Sequence, residues 1–153
     1  MLQPRVALAP IDFSDAAHES TEIAADMASR FGAALLLAHV VPALPKLPHD
    51  ITVIFKEGEY ERHLHDEALR RVAALSAKYA QTGLAVTSDV GIANDVGMDI
   101  LRIAEREKAD LIVIATHGMS GWRSLVFGSV AEKVVRVAQC PVLLLRAPRR
   151  AQQ

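Results

Sequence analysis

The sequence has little of what several classes of protein require. It contains a single cysteine, Cys140, so no intrachain disulfide can form and nothing points to an oxidising compartment. Lys and Arg number 17 against 18 Asp and Glu, and the net charge of −1 provides no excess positive field for nucleic acid or an anionic membrane. The longest apolar run, FGAALLLAHVVPAL, is too short to span a bilayer. We therefore expect a cytoplasmic protein with neither nucleic acid nor membrane as a partner.

Apolar residues are plentiful enough for one sizeable core. They make up 51% of the 153 residues, close to the usual composition of a globular domain. No internal repeat, low-complexity tract or linker divides the chain. We predict one domain over residues 1–147 and a flexible tail over residues 148–153, with Cys140 as an inert packing residue.

Apolar runs and helical periodicities alternate along the chain. Strands are predicted at residues 5–11, 34–41, 84–91, 109–115 and 141–146, and helices at residues 15–31, 57–81, 95–108 and 130–139. The first helix is predicted from Ile23, Met27 and Phe31, which recur every four residues with Ala24 and Ala28 beside them, and from Gly32 as its stop. Residues 42–56, with three prolines, form the longest predicted loop.

This alternation of strands and helices predicts an α/β fold. We expect a single-domain, open, twisted, parallel five-stranded sheet of Rossmann-like type, with helices on both faces and strand order 3-2-1-4-5. Ligands of such sheets bind beyond the carboxyl ends of the strands, where the strand order reverses. That point lies between strands 1 and 4. Its walls are then PIDFSD and THGMSGWRSLVFGSVAEK.

The second wall carries features that favour phosphate. Gly118, Gly121 and Gly128 permit close approach of a ligand to the backbone. Gly128 and Ser129 also present backbone N–H groups at the start of the last helix, where anions are favoured. Ser129 and Glu132 equally fit a capping box that any helix could use. The wall has neither a P-loop nor a dinucleotide fingerprint, so both interpretations remain open.

Other polar residues give weaker signals. Asp12 could accept a hydrogen bond from a ribose hydroxyl, or it could cap the first helix with Ser14, and both interpretations stay open. His117 has no recognisable titratable partner, so no catalytic residue is predicted. His63 and His65 are two residues apart and point to different sides of a helix, which predicts a solvated helical face instead of a metal site.

The segments ALAPIDFSD, LLLAHVV, ADLIVIATHG and GSVAEKVVRVAQCPVLLLR resemble those of the universal stress protein (UspA) family over nearly the whole chain. Family members that bind ATP carry glycine, two residues, glycine, nine residues, and then glycine followed by Ser or Thr. Gly118, Gly128 and Ser129 fit that pattern. Ala115 replaces the first glycine and adds a methyl group where the chain would pass close to a nucleotide.

The resemblance implies a nucleotide site. Asp12 would meet the ribose or adenine, the Val40 backbone would meet the adenine, and Gly118, Gly128 and the two residues after it would hold the phosphates. The complete predicted site comprises Pro10, Ile11, Asp12, Val40, Ala115, Gly118, Gly121, Gly128, Ser129 and Val130. ATP is the implied ligand, with AMP or ADP as alternatives and Mg²⁺ as a candidate counter-ion. The resemblance also implies a homodimer through residues 142–146.

Three functions remain to be separated at this point. The first is an ATP-binding regulatory module of the stress response with no hydrolysis or very slow hydrolysis. The second keeps the fold and the dimer as a scaffold without a ligand, for which Ala115 would be the marker. The third is a hydrolase of adenine nucleotides, whose usual strings SGGxDS and HxGH do not occur here. We expect the first function, and therefore a protein that is not an enzyme.

Overall fold

A computed structural model of the chain describes residues 3–44, 57–116 and 128–146. The strands are β1 to β5 in chain order, at Val6–Pro10, Ala34–Pro42, Val86–Ala93, Leu111–Ala115 and Val142–Leu145. The helices are α1 to α4, at Asp15–Phe31, Glu57–Ala80, Val96–Arg106 and Ser129–Val137. The predicted tail and most of the predicted loop 42–56 lie outside the described residues.

The five strands form one parallel sheet in the order β3-β2-β1-β4-β5, as predicted. Strand β1 lies at the centre, where Val6 is paired with Ala34 of β2 and Ala7 is paired with Leu111 of β4. The next strand along the chain lies on one side of β1, and the fourth lies on the other. The strand order therefore reverses between β1 and β4.

Successive side chains along a strand belong to two separate hydrophobic cores, one on each face of the sheet. On β2, Leu35 and Leu37 belong to the core under α1 and α2. Leu36 and Ala38 belong to the core under α3 and α4. Each of these four side chains is at most 1% exposed, so both faces of the sheet are covered.

Helix α1 buries only some of the residues from which it was predicted. Ile23 is 37% exposed and Phe31 is 43% exposed, whereas Ala24 and Ala28 are fully buried. Small side chains allow the helix axis to approach the sheet closely, so the inward face consists of the alanines with Ser20 and Thr21. The extent of the helix was predicted correctly, and of the residues in the predicted pattern the alanines face the sheet more fully than Ile23 and Phe31.

Local signals set the ends of the elements. Gly32 ends α1 in the left-handed conformation with φ 66°, as predicted. Strand β3 runs two residues beyond the predicted limit at Gly91, because its ladder with β2 continues to the pair Pro42 and Ala93. Within the described stretches, none of the helices combines the length and apolar character needed to cross a bilayer.

The two edges of the sheet differ. On β3, Asp89 pairs with Arg106, and the carboxylate of Asp99 lies against Gly91. Such charges discourage pairing with another strand. Strand β5 is four residues long, apolar and half-buried throughout, and no charged side chain lies within it. The β5 edge therefore lacks the protection that β3 has.

The inward face of α1 can be tested by stability measurements. We expect Ala24→Leu to lower the free energy of unfolding by about 1–3 kcal/mol, because extra methylene groups would enter a closely packed face. Ile23→Ala should cost less than about 1 kcal/mol, because that side chain is more than a third exposed. Urea unfolding followed by circular dichroism measures both values. A larger loss in Ile23→Ala than in Ala24→Leu would contradict the assignment.

Candidate functional site

A cleft of about 300 Å³ opens at the carboxyl ends of β1, β2 and β4. This is the point at which the strand order reverses, where open parallel sheets bind ligands. Eight of the ten predicted site residues line it, namely Pro10, Ile11, Asp12, Val40, Ala115, Gly128, Ser129 and Val130. Gly118 and Gly121 lie outside the described residues. The fold thus brings the described candidates together, and their role in binding stays a prediction.

Asp12 forms the first wall and supports the start of α1. Its Oδ1 accepts hydrogen bonds from the Ser14 N–H at 3.0 Å and from the Ser14 hydroxyl at 2.5 Å. Ser14 is the N-cap of α1, and its Oγ accepts from the Ala17 N–H at 3.2 Å. Ser14 is therefore the N-cap of α1, and Asp12 orients the Ser14 side chain. Its Oδ2 accepts no hydrogen bond from the described residues and is available to a ribose hydroxyl.

The second wall is the N-terminus of α4. Gly128 is the N-cap and has no side chain with which to bond the first-turn N–H groups. The predicted capping box is wrong, because Ser129 is the first residue of the helix and not its cap. Glu132 instead pairs with Arg136, one turn further along the helix. The first-turn N–H groups have no intrahelical partner, so they can donate to an anion.

Gly128 is tied to the end of β4. Its N–H donates to the Thr116 carbonyl at 2.8 Å. A Cβ added at Gly128 would lie 3.4 Å from that same carbonyl oxygen, which is a close contact. The hydrogen bond fixes the start of α4 beside Ala115, so the position of this wall follows from the position of β4.

Helix α3 forms a third side that sequence reasoning missed. Val96 and Ile100 of α3 line the cleft, as do Ala17 and Ser20 of α1. The signal was present, because every helix that follows a parallel strand begins at the same edge of the sheet. Applied to the turn between β3 and α3, that rule would have added Val96. The cleft thus has an apolar side in addition to its polar ends.

An ion pair holds α3 and α4 together. Asp95, the N-cap of α3, accepts from the Met98 N–H at 3.0 Å. Its other carboxylate oxygen accepts from Lys133 Nζ at 2.6 Å, and this bond lowers the pKa of Asp95. A Cβ at Gly97 would lie 3.0 Å from the Lys133 side chain, so a larger residue there would force that side chain to shift. Both helices that flank the cleft are therefore fixed to each other.

A strained residue follows Asp12. Phe13 has φ 62°, in the left-handed region, which costs a residue with a Cβ about 1–2 kcal/mol. Its ring lies 4.8 Å from the ring of His39 and 3.7 Å from the guanidinium carbon of Arg71. An aromatic pair contributes about 0.5–1.5 kcal/mol and an exposed cation–π contact about 0.5–1 kcal/mol. These contacts match the strain in magnitude, and no pattern in the sequence indicated them.

His39 links this turn to β2. Its Nδ1 lies 2.6 Å from the carbonyl oxygen of Ile11 and must carry the proton to donate to it. Burial is the largest effect on the ring and lowers its pKa, with Arg71 acting in the same direction. The hydrogen bond to Ile11 and the carboxylate of Asp12 oppose that shift without reversing it. His39 is therefore neutral at pH 7.

The other histidines and the cysteine considered in the sequence give no evidence of a second site among the described residues. The prediction that His63 and His65 lie on a solvated helical face is wrong for His65. Its Nε2 donates to the Val90 carbonyl at 3.1 Å, because α2 packs against β3. His63 is exposed, as predicted. Among the described residues, no group of three or more His, Cys, Asp or Glu side chains could hold a metal ion. His117 lies outside the described residues. Burial raises the pKa of the Cys140 thiol, as expected for a packing residue.

The family model and the most similar sequences point to the same protein family. The model of the universal stress protein family matches residues 4–146. A universal stress protein of Thermus aquaticus is 36% identical over 135 residues, which are 88% of this chain and 93% of that protein. One from Methanocaldococcus jannaschii is 30% identical over 147 residues, which are 92% of this chain and 81% of that protein.

Solved structures repeat the fold. A second M. jannaschii protein has a TM-score of 0.82 at 24% identity, covering 97% of this chain and 99% of its own. A universal stress protein of Archaeoglobus fulgidus in complex with dAMP has a TM-score of 0.63 at 20% identity, covering 94% and 98%. Another universal stress protein, in complex with cAMP, has a TM-score of 0.58 at 22% identity with the same coverage. At these identities the likeness shows the fold alone.

The lowered pKa of His39 predicts a pH dependence of stability. The unfolded chain takes up a proton at His39 below about pH 6.5, whereas the folded protein resists it, so the free energy of unfolding should fall as the pH falls below that value. His39→Asn keeps a donor near the Nδ1 position without titrating there, and should flatten this part of the curve. Denaturant unfolding between pH 7.5 and 5.5 measures both slopes. Equal slopes would contradict the assignment.

Proposed function

Because the chain belongs to the universal stress protein family, we propose that it binds an adenine nucleotide in the cleft between Asp12 and Gly128 and acts as a regulatory module. The observation that carries this proposal is the pairing of the two walls. One wall offers a carboxylate oxygen for ribose hydroxyls, and the other offers the uncapped first turn of α4 for phosphate. ATP is the expected ligand, and we expect the module to act in the cytoplasm.

The polarity of the cleft supports one direction for the proposed nucleotide. Asp12 is the only charged side chain among the described lining residues, and it would repel phosphate. The phosphates therefore belong at the α4 end, with the ribose at Asp12. Val40, Val96 and Ile100 offer an apolar surface suited to the adenine ring. The dAMP and cAMP complexes of two structural relatives support adenine as the base.

The lining also limits the chemistry. Among the described residues that line the cleft, Asp12 is the one with a titratable side chain. Its carboxylate already accepts hydrogen bonds from Ser14. The described lining residues therefore include no pair of side chains that could act as general acid and general base, which supports slow ATP hydrolysis or none. If Mg²⁺ accompanies ATP, phosphate oxygens and water would supply its ligands, because Asp12, the carboxylate among the described lining residues, lies at the ribose end of the cleft.

The site is tested by Gly128→Trp. An indole at the N-cap would occupy the phosphate end of the cleft, and we expect ATP affinity to fall at least about 100-fold, which corresponds to about 2.8 kcal/mol. Gly128→Ala is the matched control, because φ −59° suits any residue and the added Cβ meets only the Thr116 carbonyl, at 3.4 Å. Isothermal titration calorimetry with ATP measures both variants.

Nucleotide released on acid denaturation of freshly purified protein adds a second readout. ATP or AMP released from the wild type, and absent from Gly128→Trp, would support the site. Unchanged binding in Gly128→Trp would overturn the placement of the phosphates. A wild type that releases nothing and fails to bind added ATP would favour the ligand-free scaffold, in which the methyl group of Ala115 occupies part of the cleft.

We also propose that two copies associate through β5. The strand is an apolar edge whose only charged neighbour in the described chain end is Arg146. The carbonyls of Pro141 and Leu145 accept from β4, so in a parallel ladder the peptide groups of Val142 and Leu144 point away from the sheet. Those outward groups are free to pair with a second β5.

Leu144→Pro tests the dimer with Leu144→Ala as its control. Proline removes the outward N–H, whereas alanine keeps it and loses more of the side chain. We expect the wild type and Leu144→Ala to sediment as dimers and Leu144→Pro as a folded monomer. Analytical ultracentrifugation with circular dichroism measures mass and folding together. A dimeric Leu144→Pro would place the interface elsewhere.

A further inference from the structure

We infer that Phe13, His39 and Arg71 form a positioning cluster, which holds Asp12 at the edge of the cleft and links helix α2 to the site. The inference rests on the proposed nucleotide site, of which Asp12 is one wall. None of the three side chains lines the cleft itself. Their effect on a ligand would pass through the backbone of the turn between β1 and α1.

The turn has a conformation that needs support. Phe13 is in the left-handed region, which a bulky residue adopts only where its surroundings impose it. The residues on either side of it, Asp12 and Ser14, are hydrogen bonded to each other across this position. If Phe13 relaxed to a negative φ, the backbones of Asp12 and Ser14 would rotate relative to each other, and the position of the Asp12 carboxylate would change with them. The orientation of Asp12 therefore depends on what holds Phe13.

Two elements outside the turn hold it. The Phe13 ring packs against His39 of β2, and Arg71 of α2 lies over the ring. His39 also donates to the Ile11 carbonyl at 2.6 Å, while the Ile11 N–H donates to the Ala38 carbonyl at 2.8 Å. The residue before Asp12 is thus fixed to β2 on both of its backbone groups. The residue after it is fixed by side chains of β2 and α2.

Helix α2 consequently has a route to the cleft. Arg71 is exposed, so a partner or a charged ligand could reach it, and it touches no lining residue directly. A shift of α2 that withdraws Arg71 would weaken the hold on Phe13 and hence on Asp12. By linkage, a nucleotide that requires the ordered turn would also favour the position of α2 in which Arg71 covers the ring.

The experiment compares Arg71→Gln with Arg70→Gln. Arg70 is the exposed neighbour on the same helix, so both variants remove one positive charge. Calorimetry measures ATP affinity, and hydrogen exchange of the nucleotide-free protein measures protection of the Ser14 and Ala17 amides, which bond within the turn. We expect Arg71→Gln to weaken ATP binding about five-fold and to speed both exchange rates by a similar factor. Arg70→Gln should match the wild type.

A double-mutant cycle with Phe13→Leu tests whether Arg71 acts through the ring. In the Phe13→Leu background, Arg71→Gln should have little further effect on affinity or exchange, because the contact is already gone. Equal losses in Arg70→Gln, additive losses in the cycle, or unchanged affinity and exchange in Arg71→Gln would each overturn the inference. A wild type that binds no ATP would refute the proposed function, and the exchange rates alone would then decide whether the cluster orders the turn.

Discussion

The parallel pairing of β1 on both sides is the constraint on which the rest of the structure depends. Because β1 bonds to β2 along its whole length and to β4 through Ala7 and Leu8, the chain must cross the sheet once to reach β4. That crossing reverses the strand order and leaves a gap between the helices that follow β1 and β4. The cleft is a product of this topology before any side chain contributes to it.

Side chains then make the two ends of the cleft chemically different. At α1 the helix start is satisfied by Ser14, which Asp12 supports, and at α3 it is satisfied by Asp95. At α4 the N-cap is Gly128, which has no side chain to offer. Helix starts at the same edge of one sheet therefore differ in whether the side chain of their N-cap residue bonds the first-turn N–H groups. A helix start whose N-cap residue has no side chain is the one at which an anion is most favoured.

The sequence predicted the sheet order and half of the residues that line the described cleft, because both follow from the order of apolar runs and from one rule of α/β topology. Contacts at finer scale were not predictable in this way. The periodicity of α1 contained both Ile23 and Ala24, and only the close approach of the helix to the sheet decides that Ala24 is the buried one. Glu132 had two possible partners on its own helix, and geometry selected Arg136. The left-handed Phe13 depends on residues distant in the chain, so no local pattern reveals it.

The hydrogen bond between the Gly128 N–H and the Thr116 carbonyl has a consequence for protein engineering. It joins the two residues that flank the segment 117–127, at the rim of the cleft. The entropy cost of closing a loop grows only slowly with its length. A reporter peptide inserted between Thr116 and Gly128, with Gly118 and Gly121 retained, would thus be anchored at both ends beside the cleft.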